Sequence, residues 1–294
     1  MILGWQVKIG LGNKQYFNMN TSPKELALNQ KLQNMLEGNS FPEITDLPSR
    51  LLSLLIGNEE VKAMQDYANT VSITRLGFND HGPVHMRKVC SNALKMLRIF
   101  HEAGIRTSLE SEQGCFEDSV LAVMLASFLH DIGMTVGRQD HELYSGILAC
   151  SLIDRLLAEL LPGSANLMRR VMIRSVALEG IIGHMGTRHV HSLESGLILI
   201  ADGCDMTKGR ARITLGIKKS SVVGDIHKYS ANSIEKVHIR KGEEKTIRIE
   251  VHMTADVGFF QVEEVLMQKI LSSPAKEHIE LYAGVDQDEM KRYL

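Results

Sequence analysis

Residues 120–129, VLAVMLASFL, form an almost wholly apolar stretch that ends directly in His130-Asp131. A helix with no polar face has to be surrounded by protein or lipid on all sides. The stretch falls well short of the roughly 20 residues a membrane helix needs, so the expected surroundings are a protein core. It therefore delivers an imidazole and a carboxylate into a buried place, where Gly133 stops the helix. An ionised carboxylate in a core costs on the order of several kcal/mol unless it is paired or coordinates a cation. The composition allows such a core: 44% of the 294 residues are apolar, only 5% are aromatic and 15 are methionine, which favours aliphatic and thioether packing between helices.

Charge narrows the range of partners. Thirty-three Lys+Arg against 35 Asp+Glu give a net charge of −2, which supplies no overall field toward nucleic acid or an anionic membrane. Recognition of a phosphorylated molecule would have to be local. Cys90, Cys115, Cys150 and Cys204 are widely spaced with no C-x-x-C pair, so free thiols and a cytoplasmic setting are expected rather than a disulfide framework. The opening residues MILGWQVKIGLGNKQYF lack the basic start and apolar run of a signal peptide.

Hydrophobic periodicity divides the chain into three. Residues 1–58 read as an N-terminal arm with one short helix around Lys24 to Leu36, followed by the breaker-rich EGNSFPEITDLPS. Residues 59–225 are helical throughout; one helix opens at Pro83 and closes before Gly104, and others cover HELYSGILACSLIDRLLAEL, ANLMRRVMIRSVALEGIIG and SLESGLILIADGCDM. Residues 226–294 alternate in EKVHIRKG and KTIRIEVHMT, then turn helical in QVEEVLMQKILSS and extended in HIELYAG. The fold class is therefore mainly α, with a small β-β-α-β unit at the C-terminus. The exposed edge of such a sheet suits a homodimer, and nothing in the unit reads as a catalytic motif.

Eight of the twelve histidines lie between His81 and His191, several of them beside carboxylates at helix ends. Asp202 and Asp205 end a second apolar helix, three residues apart and so on one face. Carboxylates at a helix C-terminus oppose its dipole, and a cation would compensate them. Hard oxygen donors together with a mixed His-Asp pair suit Mn, Fe, Co, Ni or Mg better than a structural zinc. His81 and His85 lie four apart, but Pro83 leaves the geometry of His81 open, which makes His85 the better ligand candidate. His141 opens a helix and His184 closes one, positions that fit either ligands or caps. His189 and His191 fall in a polar loop.

The order His85, then His130-Asp131, then Asp202 on apolar helices resembles the HD-domain metal-dependent phosphohydrolase superfamily. HMRKV, LASFLHDIG and LILIADGCDMTKGRAR carry the likeness over roughly residues 60–215. The resemblance implies an all-helical core in which His85, His130, Asp131 and Asp202 hold one metal. The spacing also resembles the HD-GYP branch, which implies a second metal on His141 and His184 bridged by Asp131. The double histidine and the Gly-Tyr-Pro stretch of that branch are absent, and Met134 stands where a lysine is usual.

The implied cofactors are one or two divalent transition metals (Mn, Fe, Co or Ni, with Mg an alternative). The implied reaction is hydrolysis of a phosphate ester or nucleotide, by a phosphomonoesterase or a phosphodiesterase. Such ions lower the pKa of a bound water from about 15.7 to about 7 and clamp oxygens of the phosphoryl centre. Asp131 would carry the catalytic bridge, and Asp205 would orient that water or a ligand histidine. Arg138, Lys208 and Arg210 would neutralise charge on a small phosphorylated substrate. Neither nucleic-acid nor membrane binding is expected. Two other readings remain: a regulatory nucleotide- or metal-binding protein without turnover, and an oxygenase with an iron pair.

Overall fold

The computed structural model describes residues 21–37, 41, 44–206, 230–285 and 290–294. It is mainly helical, with a small C-terminal sheet. Helix α1 (Pro23–Glu37) and α2 (Leu47–Gly57) precede α3 (Glu59–Thr70), which widens into a π-type turn over Val71–Leu76 and stops at Gly77 with φ 69°. Helix α4 (Pro83–Glu102) starts on Pro83, whose missing N–H is no loss in a first turn, and ends ahead of Gly104 at φ 70°.

Helix α5 (Phe116–Leu129) is the apolar stretch expected in the core. All 14 of its residues are buried. By length and composition residues 116–135 would suffice to cross a membrane, but 94% of that apolar window is enclosed by the protein itself. Helices α4, α7 (Leu167–Gly183) and α8 (Leu193–Gly203) pack around α5, and α6 (His141–Leu160) packs on α7. Removing each Val, Leu or Phe of α5 from water contributes about 1.5–3 kcal/mol, which makes this helix the axis of the domain.

Both helices in the stretch read as an arm add to the same core. Leu32 and Leu36 of α1 and Leu51, Leu52 and Leu55 of α2 belong to it, with α1 against α4 and α2 against α5. A buried ion pair ties α1 to the middle of the molecule. Arg87 of α4 meets Glu25 of α1 at 2.9 Å, and its other donors reach Asn29, Gln65 and the Pro83 carbonyl.

The C-terminal unit has β1 (Ile234–Lys241), β2 (Ile247–Met253), a helix α9 over 259–272, β3 (Ile279–Val285) and a two-residue β4 (Lys291–Arg292) in the order β1-β2-β3-β4. The β1–β2 hairpin is antiparallel, β3 runs parallel to β2, and β4 is antiparallel to β3. Alternate residues Ile247, Ile249, Val251 and Met253 are buried and join Val262, Leu266 and Ile270 of α9 in one apolar cluster. Strand β4 is the addition to the expected β-β-α-β order. All four cysteines are free thiols.

Between α5 and α6 the chain makes a short 3-10 turn, Ile132–Thr135. Gly133 in this turn does not need a left-handed backbone, since its φ is not among the positive values. It needs space: a Cβ there would lie 2.0 Å from the His141 carbonyl oxygen and 2.5 Å from the Ser145 nitrogen. The Gly133 N–H also donates to Ser145 Oγ at 2.8 Å. Gly133→Ala should therefore destabilise the protein by about 1–3 kcal/mol, the usual range for overpacking. Gly137→Ala, where nothing lies within 4 Å of the added atom, should not. Urea unfolding midpoints of the two variants check this, and equal midpoints would refute it.

Candidate metal centre

Five helix ends converge beside the C-terminus of α5. The start of α4 supplies His81 and His85, the end of α5 His130 and Asp131, the first residue of α6 His141, the residue after α7 His184, and the end of α8 Asp202 and Asp205. All eight are buried. Helix ends are where backbone groups lack intrahelical partners, and here they anchor the imidazoles. His130 Nδ1 donates to the Ser127 carbonyl at 2.9 Å, His141 Nδ1 to the Arg138 carbonyl at 3.0 Å, and His184 Nδ1 to the Ile181 carbonyl at 2.7 Å. His85 Nδ1 donates to Asp205 Oδ2 at 2.8 Å.

These bonds decide the tautomers, because a carbonyl or carboxylate oxygen only accepts. With Nδ1 protonated in each ring, the four Nε2 atoms present lone pairs, and they present them to one another. His85 Nε2 and His130 Nε2 are 3.1 Å apart, and His141 Nε2 and His184 Nε2 are 3.2 Å apart. Asp131 lies between the two pairs. Its Oδ2 stands 3.3 Å from both His85 Nε2 and His130 Nε2, and its Oδ1 stands 3.2 Å from His141 Nε2 and 3.4 Å from His184 Nε2. Asp202 Oδ1 faces His85 Nε2 at 3.1 Å and His130 Nε2 at 3.9 Å.

Converging lone pairs repel unless a cation or a proton sits between them. Burial lowers the His184 pKa to about 4, despite the opposing influence of the nearby Asp131 carboxylate, so a proton there is disfavoured at neutral pH. Burial alone would raise the Asp131 carboxyl, but the neighbouring His130, His81 and His141 hold it well below the usual carboxylate range. Asp131 Oδ1 is buried and makes no well-formed hydrogen bond among the described residues. Donors 2.0–2.1 Å from a metal are about 3.0 Å apart at right angles and about 3.4 Å apart in a tetrahedron, and the 3.1–3.4 Å spacings match. Six of the residues fall into three overlapping groups that could hold an ion, His81 with His85 and Asp131, His85 with His130 and Asp202, and His130 with Asp131 and His184, and within each the ligand atoms are no more than 4.8 Å apart. A helical fold carrying such a cluster is compatible with an HD-type domain.

Three residues of the cluster lay outside the set singled out from the sequence. His81 Nδ1 donates to Asp131 Oδ2 at 2.7 Å. Its backbone is held by Asn69, whose Oδ1 accepts from the His81 N–H at 3.2 Å, so Pro83 does not turn it away. Lys88 Nζ meets Asp205 Oδ1 at 2.6 Å, and its position three residues after His85 was the available signal. Lys269 of α9 pairs with Asp202 Oδ2 and donates to the His184 carbonyl at 2.8 Å. The C-terminal unit, in which nothing reads as a catalytic motif, thus reaches into the site, and no sequence pattern marks the contact.

Of the cationic residues named for phosphate, Lys208 and Arg210 lie outside the described residues. The Arg138 guanidinium sits 5.7 Å from the Phe78 ring centre, with Nη1 buried and lacking a hydrogen-bond partner among the described residues. His189 and His191 are exposed. Since Asp205 sets the His85 tautomer, Asp205→Ala should weaken divalent-ion binding about 10- to 100-fold, the usual cost of losing a partner behind a ligand histidine. Equilibrium dialysis with Mn checks this; unchanged affinity would show that His85 needs no such support.

No family model matches the chain, and no solved structure matches it. An uncharacterized protein of Methanocaldococcus jannaschii is 38% identical over 253 residues, which span 85% of this chain and 95% of that relative. Likeness of that degree over nearly the whole of both proteins means that the chain belongs to the same family as this archaeal protein.

Proposed function

We propose that the chain is an HD-type metal-dependent phosphohydrolase holding two divalent ions. The observation that carries this reading is the placement of Asp131, which turns one carboxylate oxygen toward each of two imidazole pairs whose lone pairs converge. His85, His130, Asp131 Oδ2 and Asp202 Oδ1 would hold the first ion. His141, His184 and Asp131 Oδ1 would hold the second. Such an ion pair, when bound, supplies an acidified water and positive charge at a phosphoryl centre.

The chain's own residues do the rest. Asp205 keeps the His85 lone pair pointed inward, and the carbonyls of Ser127, Arg138 and Ile181 do the same for His130, His141 and His184. His81, with its side chain 10% exposed, is less enclosed than His85 or His130 and holds Asp131 Oδ2 from the outer side. Arg138 offers a buried donor three residues before His141, suited to a phosphoryl oxygen of a phosphate monoester or nucleotide. Lys208 and Arg210 are proposed for the same role. The competing reading is a pocket that binds without turnover. It draws support from fully buried Met134, an apolar side chain three residues after Asp131.

Elemental analysis and turnover test the proposal. Wild-type protein should carry two transition-metal ions per chain, and Asp131→Ala should lose them, because the neutral imidazoles then lack a bridging anion. The His141→Ala/His184→Ala double variant should retain about half the wild-type metal. An unchanged ratio in that variant would make the site mononuclear. Protein loaded with Mn or Ni should hydrolyse p-nitrophenyl phosphate or its diester, and a chelator should abolish this. Metal binding with no turnover of any phosphoester would favour the binding module.

A further inference from the structure

Lys269 belongs to the small C-terminal unit, yet its ammonium lies inside the helical cluster. Its side chain is 10% exposed. The stem gets there through a gap in α8. A Cβ on Gly203 would lie 3.1 Å from Lys269 Cδ and 3.2 Å from Leu266 Cδ1, and a Cβ on Gly196, seven residues earlier, would lie 2.5 Å from Ser273 Oγ and 2.9 Å from Pro274 Cδ. Seven residues make two turns of a helix, so both glycines face the same way, and the end of α9 lies against them.

Once inside, Nζ makes two contacts that join the two halves of the centre. It takes Asp202 Oδ2, which leaves Oδ1 directed at His85 and His130. It also donates to the backbone carbonyl of His184 at 2.8 Å, the residue whose ring faces His141. A carboxylate gripped by one oxygen cannot rotate about its last bond without breaking that contact.

We propose that Lys269 is a positioning residue of the metal centre: it holds Asp202 to the first ion through one oxygen and anchors the backbone of His184, which makes the C-terminal unit a working part of the site. The proposal rests on the two-ion reading above. Charge and orientation act in opposite directions here. A lysine beside a ligand repels a divalent ion, so if charge dominated, a neutral side chain would tighten binding. If orientation dominates, a neutral side chain weakens it.

Cobalt(II) titration of the full chain, followed by dialysis and by the visible ligand-field bands, separates the two. Lys269→Met should bind cobalt about 10- to 100-fold more weakly than wild type, with bands altered by the freed Asp202. Lys269→Gln, whose amide is too short to span both acceptors, should behave alike and serves if Lys269→Met does not fold, as judged by circular dichroism of the metal-free protein. In an Asp202→Asn background the Lys269→Met change should cost far less, since the two residues act as one unit. Wild-type binding combined with equal or tighter binding in the folded Lys269 variants overturns the proposal and leaves the two-ion reading standing. Wild-type protein that binds no cobalt removes that reading, and the proposal falls with it.

Discussion

The carboxylate of Asp131 is the group to which the surrounding structure answers. It is an anion at the end of a helix that has no exposed side, and an unpaired charge there would cost on the order of several kcal/mol. His81 hydrogen-bonds one of its oxygens, and two pairs of imidazoles face its two oxygens. Each of those imidazoles is in turn held by an acceptor on its far nitrogen. The arrangement leaves lone pairs pointing at lone pairs, a balance that a cation would complete.

Such a balance needs five helix ends to meet within a few ångströms, and small residues are what let them approach. Gly133 allows the turn after Asp131 to touch the start of α6, which carries His141. Gly196 and Gly203 allow α9 to lie on α8, which carries Asp202. At these positions the absence of a side chain matters for contact rather than for backbone freedom. The same close packing couples remote segments to the site: Arg87, two residues beyond His85, is paired with Glu25 of the first helix.

Much of the fold was legible because its signals are local. The start of α4 at Pro83 and its stop before Gly104, the enclosure of 120–129, and the alternation of 247–253 each follow from periodicities of 3.6 or 2 within one segment. The packing of α1 and α2 into the core was not legible. Their apolar residues are interrupted by the breaker-rich stretch before Leu47, and whether a short amphipathic helix docks depends on the surface offered by α4 and α5.

The sequence by itself determined that buried helices would end in His130-Asp131 and in Asp202 and Asp205, with His85, His141 and His184 at other helix ends, because residue spacing places a side chain on its own element. Only the tertiary structure decided which atoms meet. His85 and Asp205 bond across 120 positions, and Lys269 and Asp202 across 67. No period within a segment reports on a contact between segments so far apart. The admission of His81 through Asn69, the tautomer of each imidazole and the oxygen that Asp202 turns toward His85 all depend on such contacts. They arise from packing in three dimensions, where the direction of a hydrogen bond, rather than the identity of a residue, decides what can be held.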